Sequence, residues 1–127
     1  MSPRLDTITP LVSVSDIDDA VQFFKETLGF TATVRMKGYA YLKRDAVAVR
    51  LIDAPPGENM HGKARQTACY IDVTDLDALY ASMKQKLDQL PAGMVRAPFN
   101  QEYGQREFHV IYEALLIFFG ETIAKKR

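Results

Sequence analysis

Apolar positions along the chain recur with two periods, and the switch between the periods happens twice. The short run Leu11–Val14 gives way to Ile17, Ala20, Val21, Phe24 and Leu28, whose three- and four-residue spacing lines one stripe of a helix. Three strand-like runs follow at about 30–36, 39–44 and 46–53, joined by tight turns at Lys37-Gly38 and Arg44-Asp45. The order then repeats. An apolar run opening at Cys69 leads into Leu76, Leu79, Tyr80, Met83 and Leu87 at helical spacing, and further runs lie at about 93–99, 105–112 and 114–120. Each half therefore predicts βαβββ.

The two halves align at one offset. Val14 matches Val73, Asp16 matches Asp75 and Ile17 matches Leu76, each 59 residues on, which predicts an internal repeat. Ser15 and Thr74 are the expected helix N-caps, with Asp18 and Asp77 at capping-box spacing, and Gly29 is the expected stop of the first helix. The Pro- and Gly-containing stretch Ala54–Gln66 reads as a connector. The expected organisation is one domain over 1–127, with module one at about 5–55, a linker at about 56–65 and module two at about 66–122.

Composition removes several function classes. Sixteen basic and sixteen acidic side chains cancel, so no net field favours nucleic acid or an anionic membrane surface. One cysteine, Cys69, excludes an internal disulfide and a cysteine-rich zinc site. The longest apolar run, Ala114–Phe119, is too short to span a membrane or to serve as a secretory signal. The expectation is a cytoplasmic protein.

The paired βαβββ pattern, the stretch "VSDIDDAVQFFKETLGF" and the ending "YGQREFHVI…LLIFFGE" resemble the vicinal oxygen chelate superfamily. Glyoxalase I, extradiol dioxygenases, fosfomycin-resistance proteins and bleomycin-resistance proteins belong to that group. The resemblance covers about residues 7–121, and "YGQREF" is similar to the bleomycin-resistance branch. It implies an α+β fold in which two tandem modules form an open, barrel-like cleft, and it implies a homodimer. The family's Asp-Pro-Asp-Gly-Asn turn before the last strand is replaced here by "IYEALL", which has no glycine for a positive φ. In metal-dependent members the resemblance implies His or Glu ligands at four strand positions, which fall here on Thr9, at or next to Arg50, on Ala68 (or Thr67 or Cys69 after a one-residue slip), and on Phe118 or Phe119. Apart from Cys69, whose lone thiol does not make a site, none of these is a usual donor, and Arg50 is itself a cation. His61 lies in the connector, His109 has no second histidine beside it, and Glu121 falls on the opposite strand face from Phe118. The expectation is no metal, no cofactor and no catalytic residue.

The resemblance then implies a metal-free small-molecule-binding protein that sequesters an aromatic or antibiotic-like ligand. The expected ligand-binding residues are Thr9, Tyr41, Arg50, Tyr70, Phe108, Tyr112 and Phe118 in the cleft wall, beside Leu11, with Tyr103 and Arg106 near the rim. Aromatic faces suit a flat ligand, and Arg50 or Arg106 suits a carboxylate or phosphate on it. Zero net charge and Arg50 argue against bleomycin itself, which is cationic. The rival reading is a glyoxalase-like lyase or isomerase, or a dioxygenase-type enzyme. Without a metal it needs an acid–base pair, such as His109 with Glu107 or Glu102; residues 107 and 109 share a strand face. A third reading is a structural or regulatory dimerisation module.

Overall fold

The computed structural model describes residues 2–62 and 65–123. The elements run β1 (Leu11–Val14), α1 (Ile17–Glu26), β2 (Thr31–Met36), β3 (Tyr39–Arg44), β4 (Val47–Asp53), β5 (Thr67–Asp72), α2 (Leu76–Leu87), β6 (Val95–Asn100), β7 (Gln105–Tyr112) and β8 (Leu115–Thr122). They form two sheets of matching topology, ordered β1-β4-β3-β2 and β5-β8-β7-β6. In each sheet the first strand lies parallel to the last and the other pairings are antiparallel. This is the predicted α+β architecture of two βαβββ units.

The repeat is visible in the register. Leu11, Arg50 and Tyr41 form one cross-strand row in the first sheet, and Tyr70, Phe118 and His109 form the equivalent row in the second. The offset is 59 from Leu11 to Tyr70 but 68 from Arg50 to Phe118 and from Tyr41 to His109. The second unit has longer connections from α2 to β6 and from β6 to β7, so the single offset read from the first strand and helix does not carry to the last hairpin.

Both helices start one residue later than the capping-box reading expects, because carboxylates from elsewhere take over part of the work. Asp16, not Ser15, is the N-cap of α1 and accepts a hydrogen bond from the Asp19 amide at 3.1 Å. Ser15 instead donates its amide (2.9 Å) and its hydroxyl to Glu113, from the β7–β8 turn. For α2 the N-cap is Asp75, at φ +63°, with no side-chain cap of its own. Glu121 of β8 supplies the cap, accepting from the amides of Asp75 (2.7 Å) and Leu76 (3.0 Å). Those two bonds hold the Glu121 carboxyl below its ordinary range, as expected for an anion at the orphan N–H groups of a helix start.

Each helix covers one face of its own sheet. Phe24, Leu28, Leu42 and Leu51 are fully buried in the first unit, and Leu76, Leu87, Phe108 and Ile117 in the second. The units also lock together: Tyr112 packs on Phe23 of α1 with ring centres 4.6 Å apart, and its hydroxyl donates to Asp19. The neighbouring Glu113 takes φ +50° without a glycine, and its side chain spends the turn on the Ser15 contacts. Burial, and then the bond to Asp19, push the Tyr112 hydroxyl pKa well up.

Phe108 is the test of the helix-side core. It is wholly buried, stacked on Phe119 at 4.6 Å and edge-on to Tyr80 at 5.1 Å. Phe108→Ala is expected to cost about 3–5 kcal/mol, measured by urea unfolding, through lost transfer energy and the cavity left behind.

Candidate functional site

Strand alternation sorts each sheet into a helix-covered face and a helix-free face. In β3 Ala40 and Leu42 are buried beneath α1, so Tyr39 and Tyr41 point the other way. Their cross-strand partners Ile52, Arg50, Met36 and Val34 share that side. Arg50 donates to the Tyr39 hydroxyl at 2.6 Å and its guanidinium lies 4.7 Å from the centre of the Tyr41 ring. In β7 Phe108 and Val110 are buried beneath α2, so Gln105, Glu107, His109 and Ile111 point away from it. Tyr70 stacks on Phe118 at 5.8 Å, Phe118 touches the His109 ring at 4.2 Å, and Phe99 meets the other side of His109 edge-on at 5.1 Å. These helix-free faces leave apolar side chains in water: Leu11 is 60% exposed, Val34 44%, Met36 59% and Tyr70 41%.

Under the second of these faces sits Glu107, completely inaccessible to solvent. One carboxylate oxygen accepts from Gln101 Nε2 (3.0 Å) and lies 2.8 Å from His109 Nε2. The other accepts from the hydroxyls of Tyr70 (2.9 Å) and Tyr103 (2.5 Å). Burial alone raises a carboxyl pKa, but here the bonds from Tyr103, His109, Gln101 and Tyr70 outweigh it and hold Glu107 at about 2. The two phenols respond in the opposite sense. Burial and the bond to Glu107 push Tyr70 up, and the bond to Glu107 and then burial push Tyr103 up.

The site depends on a glycine. Gly120 of β8 stands opposite Glu107, and the Tyr70 side chain crosses over it to reach the carboxylate. A Cβ on Gly120 would overlap the Tyr70 hydroxyl oxygen and ring. Only a residue without a side chain leaves that path open.

The residues expected to bind ligand do not all share one face. Tyr41, Arg50, Tyr70 and Phe118 lie on the helix-free faces, and Tyr103 reaches the second one from the β6–β7 turn. Thr9, in the segment before β1, lines a small cavity with Ala68, Leu11 and Cys69. Phe108 and Tyr112 are on the helix side, in contact with Tyr80 and Phe23, and Arg106 is engaged there by Asp77 of α2 (3.1 Å) and by Asn100. The period of two puts residues 106, 108 and 112 opposite 107 and 109, so these three cannot line the face that carries His109. Glu107, His109, Phe99 and Gln101 complete the cluster. Of these, only the i, i+2 pair Glu107 and His109 was legible in sequence.

A different cavity, of about 530 Å³, opens between the β3–β4 turn and α2, walled by Phe30, Val47, Val73, Leu79, Ser82 and Phe119. Its Arg44 is already engaged, donating to the Leu28 carbonyl at 2.7 Å.

The family model of the glyoxalase/bleomycin resistance protein/dioxygenase superfamily matches residues 4–119. The chain belongs to this superfamily. Solved structures share the fold at low identity. The bleomycin resistance determinant encoded on the transposon Tn5 is 21% identical and matches 93% of this chain and 98% of its own, with a TM-score of 0.77. The bleomycin-binding protein from Streptomyces verticillus, solved with copper(II)-bleomycin, is also 21% identical over 98% and 100%, at 0.77. A lactoylglutathione lyase from Agrobacterium tumefaciens is 17% identical over 94% and 95%, at 0.66. No curated protein matches the chain by sequence.

For this superfamily member the four positions implied for metal ligands hold a threonine, a guanidinium, a methyl group and a phenyl ring. That donor set does not fit a divalent cation. Among the described residues no group of three His, Cys, Asp or Glu side chains is placed to hold one. Nor is any helix among them long and apolar enough to cross a membrane.

Two outcomes follow from the Glu107 cluster. Gly120→Ala is expected to displace Tyr70 and cost about 1–3 kcal/mol by urea unfolding, the usual range for overpacking. Glu107 has a folded pKa lowered from 4.5 to about 2, so its stabilisation is complete above 4.5 and is lost as pH falls towards 2. The stability advantage of the wild type over Glu107→Gln, followed by unfolding midpoints across that window, is expected to shrink as pH falls.

Proposed function

We propose that this protein is a metal-free small-molecule-binding protein that sequesters an aromatic or antibiotic-like ligand without transforming it, acting as a cytoplasmic homodimer. The observation that carries this reading is the pair of matching rows on the helix-free faces. Leu11, Arg50 and Tyr41 stand on one sheet, and Tyr70, Phe118 and His109 on the other. In the homodimer, the first sheet of one chain faces the second sheet of its partner, and the ligand lies between these rows. Exposed apolar surface on both faces supports such cover, as do Leu5 and Ile8, which are fully exposed in the segment before β1.

Each wall has its own task. Tyr70 and Phe118 offer stacked rings, which grip a flat molecule by area and quadrupole. Tyr41 and Tyr103 extend the aromatic surface, and Thr9 stands at the edge. Arg50 has no carboxylate partner among the described residues, so its remaining N–H groups suit an acidic group on the ligand. Phe108, Tyr112 and Arg106 support the wall from behind. The bleomycin-binding structures support the class of ligand. The guanidinium at position 50 and the zero net charge favour a neutral or acidic molecule over a cationic drug.

Titration calorimetry against planar aromatic antibiotics, run with and without a chelator, tests this reading. The expected result is saturable binding that the chelator leaves unchanged, with the ligand recovered intact. Phe118→Ala is expected to weaken binding roughly three- to ten-fold, the equivalent of one lost aromatic contact. Chelator-sensitive turnover of the ligand would contradict the proposal.

A further inference from the structure

The His109 ring is fixed on two sides by aromatic rings and at one nitrogen by a buried carboxylate. Its ring is held between Phe118 (4.2 Å, 44°) and Phe99 (5.1 Å, 81°). Its side chain is 12% exposed. Its Nε2 is 2.8 Å from Glu107 Oε1. An ionised carboxylate only accepts, so Nε2 must carry the proton. The other nitrogen, Nδ1, has no partner among the described residues, yet no buried side-chain nitrogen or oxygen there lacks one. Nδ1 therefore reaches solvent on the helix-free face. In its neutral form the ring presents it as a bare acceptor at the edge of the Tyr70–Phe118 stack.

We infer that His109 Nδ1 is the polar anchor of the ligand site, accepting a hydrogen bond from an N–H or O–H group on the edge of a planar ring that lies against Phe118. The inference rests on the binding reading above and narrows it to planar molecules with an edge donor, such as phenols and indoles. Glu107 is then a positioning residue. It never meets the ligand, but it fixes which nitrogen of His109 faces out. The four donors around it explain why that assignment is firm: Gln101, Tyr70 and Tyr103 occupy the remaining acceptor directions and leave the carboxylate no freedom to turn.

The probes are indole and 1-methylindole, which share a shape and differ by one donor. The chain has two histidines, His61 and His109, so the imidazole nitrogen spectrum of labelled protein contains two rings. In the ligand-free protein, the neutral His109 ring is expected to carry its proton on Nε2. Indole is expected to shift the Nδ1 signal and to bind about three- to ten-fold more tightly than 1-methylindole, the worth of one neutral hydrogen bond. His109→Phe keeps an aromatic ring between Phe99 and Phe118 and is expected to erase the difference. A neutral ring protonated on Nδ1 overturns the inference without any ligand or variant. Equal affinity for the two probes also overturns it and leaves the binding reading standing. No binding by either probe overturns it too, and the antibiotic titrations then decide the binding reading separately.

Discussion

A buried carboxylate with no cation of fixed charge beside it among the described residues sets the terms for the second unit. Glu107 is completely inaccessible, and a charge in that position is costly unless every lone pair is met. Four side chains meet it: Gln101 and Tyr103 from the β6–β7 connection, Tyr70 from β5 and His109 from its own strand. Each is thereby fixed in place. Two of them, Tyr70 and His109, also form the aromatic row of the candidate site with Phe118. The glycine at 120 belongs to the same constraint, because Tyr70 reaches Glu107 only across a residue without a Cβ. The acid thus orders a set of rings at an otherwise exposed sheet face. That is the preorganisation a ligand site needs, since a ring already held loses little freedom on binding.

The repeat explains why the two helix-free faces carry unlike side chains. The same cross-strand row holds Leu11, Arg50 and Tyr41 in one unit and Tyr70, Phe118 and His109 in the other. The scaffold is shared and the chemistry has diverged: a guanidinium over a phenol ring on one sheet, stacked rings over a hidden carboxylate on the other. The helix-side contacts are also asymmetric. Glu113 braces the start of α1 from the other unit, whereas α2 is capped by Glu121 from its own sheet. The cavity beside α2 lies where the first unit has no counterpart to Tyr112 packing on Phe23.

Much of the architecture was legible in sequence because period and turn chemistry are local. The three-strand run of each half and the helices follow from residues within a few positions of one another. The helix caps were placed one residue early, because Ser15 is drawn to Glu113, 98 residues away, and Glu121 reaches α2 from the far end of the chain. Aromatic character alone did not say which face a ring takes. Phe108 and Tyr112 looked like wall residues until register put them behind the sheet, while Phe99 and Gln101 join the site through a β6 pairing that includes a bulge. The central role of Glu107 was hidden for the same reason. Three of its four hydrogen-bond partners are brought to it by tertiary structure or by a loop, and a strand glutamate next to a histidine gives little sign that it is buried.

Backbone amide shift mapping with a bound planar aromatic ligand distinguishes the helix-free faces from the cavity beside α2. The perturbed residues are expected to cluster on the helix-free faces, around Arg50, Tyr41, Tyr70, His109 and Phe118. Phe108, Tyr112 and Arg106 should move far less. Perturbations centred instead on Val47, Val73, Leu79 and Ser82, around the cavity beside α2, would contradict that placement of the site.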